Sequence, residues 1–232
     1  MQPEKNNIGT LSEFLRFLAM QGGDQIRVPA LAELSKNLGV SISSLREQLE
    51  VARVLGFVEV KPKTGIRRLP YSFTPAVRQS LNYAIAIDTK AFDEFSDLRK
   101  KIEQAYWFEA VSLLTGEDRD ELMGLVVSAE NKLRSQPHQI PHFEHRELHL
   151  LMYRRLENPF VIGILEGYWE LYESIGLSMI MDMPYLENVW RYHRKMVEAI
   201  RNTDYEAGFQ ILKEHMQLIY QLPRRIPRQQ FE

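Results

Sequence analysis

All six histidines of this 232-residue chain fall between His138 and His215, and the chain has no cysteine. His145 and His149 are four residues apart, a spacing that sets two side chains on one helix face about a turn apart. Such a pair can chelate one divalent ion, as the paired histidines of zinc-binding helices do. His193 and His215 lie ten residues before and twelve after Thr203. If Thr203 marks a tight turn between antiparallel helices, both rings sit roughly 15–18 Å from it, at about the same level. Three helices then present four imidazoles, His145, His149, His193 and His215, to one point. With no thiolate available, that set suits Zn²⁺, Ni²⁺ or another borderline divalent ion. A single helix histidine is more often solvated or hydrogen-bonded within the fold, so spacing alone leaves both readings open. His138 and His142 flank a loop with two prolines and read as surface residues. A metal-dependent hydrolase is an alternative use of the cluster. It is weakened because Glu147, the acid between the paired histidines, is two residues from each and turns away from their shared face.

The elements that must carry these residues are helical. Apolar periodicity predicts helices from Thr74 or Pro75 to Ile87, Ala91 to Leu114, Asp118 to Arg134, His142 to Glu157, Phe160 to about Met181, Pro184 to Asn202, and Asp204 to Gln221. On the long Ala91–Leu114 stretch the expected inner face is Phe92, Phe95, Leu98, Ile102, Ala105, Phe108 and Val111. The sum is an all-α bundle of six or seven helices, large enough for a buried site. Tyr168, Trp169, Tyr172 and Trp190 are among the aromatics on these helices, and one or two of that set could wall a pocket.

A different grammar governs Val28 to Arg68. Leu31, Leu34 and Leu38 stripe a short helix that Gly39 ends, because glycine enters the left-handed conformation cheaply. Ser41 and Ser43 are suited to capping a second helix striped by Leu45, Leu49, Ala52 and Leu55. Phe57–Val60 and Ile66–Leu69 read as two strands around a Lys61–Gly65 turn. Ahead of them, Ile8–Met20 carries Leu11, Phe14, Leu15 and Leu18 at helical spacing. This is a winged helix–turn–helix, and the overall expectation is a mainly α chain. Ser41, Ser43, Ser44 and Arg46 would face phosphates or base edges from the second helix, and Lys61, Lys63 and Gly65 would do so from the wing. A small helical domain with a solvated basic hairpin is the blander reading. The expected layout is a reader at 1–70, a linker at 71–75, a helical domain at 76–222 and a tail at 223–232.

Composition bounds the rest. Hydrophobic content of 44% and charged content of 26% suit an ordinary globular protein. No apolar run reaches membrane-span length and the start, MQPEKNN, is no signal peptide, which points to the cytoplasm. The net charge of −2 splits into +3 for residues 1–70 and −5 for the remainder, a basic head on an acidic body.

The reader resembles the DNA-binding domain of GntR-type bacterial transcription regulators. Their turn signature, Gly-Val-Ser-Arg-Thr-Pro-Val-Arg-Glu-Ala-Leu, stands here as Gly39 to Leu49, with Arg46 retained and Ile42 where the family has a base-reading arginine. The helical part is similar to the FCD ligand-binding domain of the FadR branch of that family. The resemblance rests on Leu98-Arg99-Lys100-Lys101-Ile102-Glu103, on His145–His149 followed by Asn158-Pro159, and on His193, Ala199-Ile200, Thr203-Asp204, Ala207 and His215. By that resemblance His149, His193 and His215 are metal ligands, and His145 replaces the family's aspartate, leaving the site one unit more positive. Arg99 would pair with an effector carboxylate, although an exposed arginine paired with Glu103 at i,i+4 fits the spacing equally well. The resemblance implies a homodimeric repressor of a two-fold operator, released by a small carboxylate. A metal-free sensor of acyl-CoA or another large ligand is a further alternative within the same branch.

Overall fold

The computed structural model describes residues 11–21, 27–174 and 182–218. The expected tail, the first residues of the N-terminal helix and the ends of the helices approaching Met181 and Gln221 lie outside them. The chain divides into two compact units between Gln79 and Ser80.

The first unit opens with α1 (Glu13–Met20), capped by the Ser12 side chain, which accepts from the Leu15 amide. A strand, β1 (Arg27–Val28), precedes α2 (Leu31–Leu38) and α3 (Ile42–Val54). Gly39 ends α2 at φ 68°, in the left-handed region that favours glycine. Ser41, rather than Ser43, caps α3 by accepting from the Ser44 amide. The wing, β2 (Val58–Lys61) and β3 (Gly65–Arg68), gains a third member, since the sheet order is β1-β3-β2 with both pairs antiparallel. The two-stranded expectation missed β1 because two residues give no alternation to read. Phe14, Leu18, Leu34, Leu45, Ala52, Val58 and Ile66 form this unit's core.

The second unit is an assembly of helices. Its helices follow α4 (Thr74–Ile87), which begins two residues inside the expected linker and runs across the division. They are α5 (Lys90–Ser112), α6 (Gly116–Arg134), α7 (His142–Tyr153), α8 (Pro159–Ser174), α9 (Met183–Arg201) and α10 (Tyr205–His215). α6 packs on α7 and α9, α9 on α10, and α5 touches α7, α8 and α10. Two caps fix the joints. Thr115 and Asp118 form a reciprocal capping box at the start of α6. Asp204 caps α10 by accepting from the Ala207 amide, just after Thr203 takes a left-handed φ of 58°. Gly208 sits where a Cβ would come within 2.8 Å of the Trp107 ring, so only glycine lets α10 approach α5 this closely.

One expected face holds only in part: Phe92 and Val111 are buried and Phe95 and Ile102 half-buried, but the rest is not. On α5 the buried residues are Phe92, Ser96, Arg99, Glu103, Trp107, Ala110 and Val111, whereas Leu98 and Phe108 are 43% and 44% exposed. The helix turns a charged pair inward and leaves part of its apolar stripe outside. Hydrophobic periodicity misreads part of such a helix, because the stripe that looks like core only overlaps the stripe that is buried.

Candidate metal centre and nucleic-acid interface

α7, α9 and α10 bring the four histidines together. One potential ligand atom from each of His145, His149, His193 and His215 lies within 4.8 Å of every other. The short Thr203 turn makes this possible: Nε2 of His193 and Nε2 of His215 face each other at 3.1 Å, so the two rings are level on adjacent antiparallel helices. His149, His193 and His215 are buried, and His145 is half-buried with its Nε2 enclosed. Trp169 lies 4.8 Å from the His145 ring and 4.9 Å from that of His149, and Trp190 lies 4.7 Å from His193. These two indoles, with Tyr172 at 6.0 Å from His145, are the walls that the sequence left unspecified. His138 and His142 stay on the surface, as their loop position implies.

The donor set fits a borderline divalent ion. Burial holds all four imidazoles well below the usual histidine range, and neighbouring rings and the Arg99 guanidinium push His145, His193 and His215 further in the same direction. For His149 the second cause is Arg99 alone. Neutral rings keep lone pairs available at neutral pH. Each ring also has a buried nitrogen without a hydrogen-bond partner among the described residues: Nε2 of His145 and His149, Nδ1 of His193 and His215. Orphaned buried polar atoms are costly and call for a partner; at His145 and His149 that atom is Nε2, whereas His193 and His215 turn Nε2 towards each other. Tetrahedral zinc–imidazole bonds place ligand nitrogens about 3.3 Å apart, close to the 3.1 Å between His193 and His215.

Behind the histidines sits a charged pair. Arg99 donates from Nε to Glu103 Oε1 at 2.9 Å, and its Nη2 lies 3.0 Å from Nδ1 of His149. Arg99 is thus paired with Glu103 as the i,i+4 spacing allows, but it is buried rather than exposed. Its guanidinium carbon lies 4.8 Å from the Tyr168 ring centroid and 5.2 Å from that of Trp169, both within cation–π range. Burial pushes Glu103 up while Arg99 pulls it back, and the Arg99 guanidinium keeps its own charge, since it does not lose its proton in a protein. Glu103 was absent from the residues the sequence singled out for the site. The available signal was its place four residues after Arg99.

The reader carries a second candidate surface. Ser41, Ser43 and Arg46 are exposed on α3, as is Ile42 at its first position. Ser44 is half-buried and braces the fold: its hydroxyl accepts from Gln48 Nε2, and Gln48 Oε1 accepts from the Phe14 amide, tying α3 to α1. Lys61, Lys63 and Gly65 are exposed on the wing, where Lys61 pairs with Glu59 at 2.8 Å. β1 adds a residue that the expected DNA contacts left out. Arg27 sits directly opposite Arg67 in the sheet, and the two line a shallow recess of about 390 Å³ with Lys63 and Thr64. Four neighbouring donors, three of them cationic, suit a phosphate backbone.

A winged helix–turn–helix followed by a helical unit with inward histidines is the layout of GntR-type regulators with an FCD domain. Residues 94–218, more than half of the chain, match the family model described as the FCD domain, and the chain belongs to that family. Among solved structures it is similar to a Streptococcus agalactiae GntR, at 16% identity over 90% of this chain and 95% of that one, with a TM-score of 0.59. It is also similar to E. coli McbR/YncC, at 21% identity over 92% and 95% of the two chains, with a TM-score of 0.50. These likenesses establish a shared fold. A comparison with curated proteins gives no match. No helix of the described residues is long and apolar enough to cross a membrane.

Proposed function

We propose that this chain is a cytoplasmic, one-component transcription regulator. It binds a two-fold operator as a homodimer through its winged helix–turn–helix and represses until a small carboxylate binds in the helical unit. The observation that carries the reading is the convergence of His145, His149, His193 and His215 inside an FCD domain attached to a basic reader. These four residues would hold Zn²⁺ or Ni²⁺, which supplies a Lewis-acidic anchor for an anionic group. Arg99 supplies a second anchor. A third donor is at hand in the Trp169 indole N–H, which is buried without an acceptor among the described residues. With His145 in place of a carboxylate, Glu103 is the single acid against a dication and Arg99, an excess of positive charge that an anion would offset.

The partly exposed α5 stripe of Leu98 and Phe108 is consistent with a second copy as partner. The carboxylate changes operator affinity only to the extent that it binds the DNA-free form more tightly. A hydrolase is disfavoured by the surroundings of the histidines: Glu147 pairs with Arg146 on the outside of α7, and Glu103 is committed to Arg99.

The test is elemental analysis of untagged protein before and after chelator dialysis, beside the His149→Ala/His193→Ala double variant. About one Zn or Ni per chain in the parent and none in the variant is expected. Full occupancy of the variant, or no uptake by the parent, would remove the metal from the reading.

A further inference from the structure

Nδ1 of His149 has two suitors. Arg99 Nη2 reaches it at 3.0 Å, and Glu103 Oε1 stands 3.5 Å away. A guanidinium can only donate, so in the arrangement seen Nδ1 accepts and the ring proton of neutral His149 resides on Nε2, the nitrogen left without a partner. That tautomer has no Nε2 lone pair to offer. If Nε2 is to ligate, the proton must reside on Nδ1, where it would meet the Arg99 donor head-on. Glu103 is the adjacent acceptor, fully buried, and its second oxygen, Oε2, has no hydrogen-bond partner among the described residues. The proton count on His149 is unchanged by the switch, since one ring nitrogen gains what the other gives up. The Nη2 donor of Arg99 is then released beside the histidines.

We propose that Arg99, His149 and Glu103 form a hydrogen-bond exchange that couples ion binding to carboxylate capture. In one arrangement, the one seen, Arg99 caps His149. With Nε2 engaged, His149 donates from Nδ1 to Glu103, and the displaced Arg99 donor takes the carboxylate. Glu103 is a positioning residue that acts through His149, in the manner by which outer carboxylates fix the tautomer of ligating histidines. Arg99 is a placeholder as well as an anchor. The inference rests on the metal reading of the site given above. It adds that ion and anion bind cooperatively and, because linkage is reciprocal, that each tightens the other by the same factor.

The experiment uses the full-length protein with Zn²⁺ and acetate as probes. Long-range ¹H–¹⁵N correlation spectra of the histidine rings, assigned with a His149→Gln variant, should show His149 protonated on Nε2 without zinc and on Nδ1 with it. Zinc affinity, read by competition with a chromophoric chelator, should tighten by about fivefold or more in saturating acetate, and Arg99→Gln should abolish that gain. Glu103→Ala should weaken zinc by about 10–100-fold, while Glu103→Gln, which keeps an acceptor oxygen, should recover most of the loss. An unchanged His149 tautomer, or zinc affinity indifferent to acetate, would overturn the exchange while leaving the metal site standing. Absence of zinc uptake by the parent protein would overturn the metal site itself, and the exchange with it. If Glu103→Ala does not fold, the tautomer spectra and Glu103→Gln carry the decision.

Discussion

Mild acid should dismantle the metal-free protein well before its structural carboxylates titrate. His145, His149, His193 and His215 all have folded-state pKa values pushed well below the ordinary histidine range, chiefly by burial. A depressed histidine leaves the unfolded chain binding more protons than the folded one once the pH drops below about 6.5. The associated stability is therefore fully present above that pH and is lost as the pH falls towards the folded values. Each such group contributes a slope of up to about 1.4 kcal/mol per pH unit. If the facing Nε2 atoms of His193 and His215 accommodate one proton between them, three groups remain, or about 4 kcal/mol per unit at the steepest. Domain stabilities of about 5–15 kcal/mol are exhausted within a few units at that slope.

Other groups do not reverse the sign. Glu103, raised by burial, gains stability as the pH falls, but it is one group against three or four. Asp118, Glu130 and Glu144 are held low by Arg155, Arg194 and Lys132 respectively, against the cost of their own burial. Their loss belongs below about pH 4.5. The assay is urea unfolding of chelator-treated protein at pH 7.5, 6.5 and 5.5, followed by tryptophan fluorescence. Trp107, Trp169 and Trp190 are the chain's three tryptophans and all are buried in the helical unit, so the signal reports the unit that holds the histidines. The midpoint should slip between pH 7.5 and 6.5, by the equivalent of about 0.4 kcal/mol for each half-protonated unfolded-state histidine, and fall sharply by 5.5. A midpoint that does not move between 7.5 and 5.5 would refute the argument that these rings are buried in the neutral state.

Two further outcomes test other parts of the molecule. Gly208→Ala, whose methyl would meet the ring of the fully buried Trp107, should cost about 1–3 kcal/mol by overpacking, read as a drop in the urea midpoint at pH 7.5. Trp107 has little room to yield, because its Nε1 donates to the Tyr205 carbonyl at 2.9 Å. On an operator selected from random DNA, Arg67→Ala should weaken binding about equally across sequences and lower the slope of log affinity against log salt by about 1. Arg46→Ala should instead cost about 1–3 kcal/mol and relax base preference. Interchanged phenotypes would exchange the roles given to α3 and the wing.

The histidine site was legible in the sequence to an unusual depth for particular reasons. His145 and His149 share a helix, where spacing dictates proximity. His193 and His215 are joined by one short turn, so counting residues from Thr203 gives their level. What the sequence obscured was the depth of α5. Leu98 and Phe108 look like core and are partly exposed, while Arg99 and Glu103 look like a surface ion pair and are buried. The burial of that pair becomes readable only when the partners on α7 and α8 are in place. β1 was hidden by its brevity, and with it Arg27, whose relevance comes from lying opposite Arg67 across the sheet. The division of labour among Ser41, Ser43 and Ser44 was likewise invisible, because a hydroxyl near a helix start can cap, brace or face outward with the same sequence signature.

The enclosure of the four imidazoles bears on what the protein measures over time. His149 and His193 are fully buried, and Trp169 and Trp190 close over them. An ion held there can leave only when part of the bundle opens, so its residence is governed by the rate and free energy of local opening rather than by its bonds alone. A small anion anchored at Arg99, itself 8% exposed, would pass through the same openings, so ion and carboxylate alike would exchange at a rate set by the bundle rather than by diffusion.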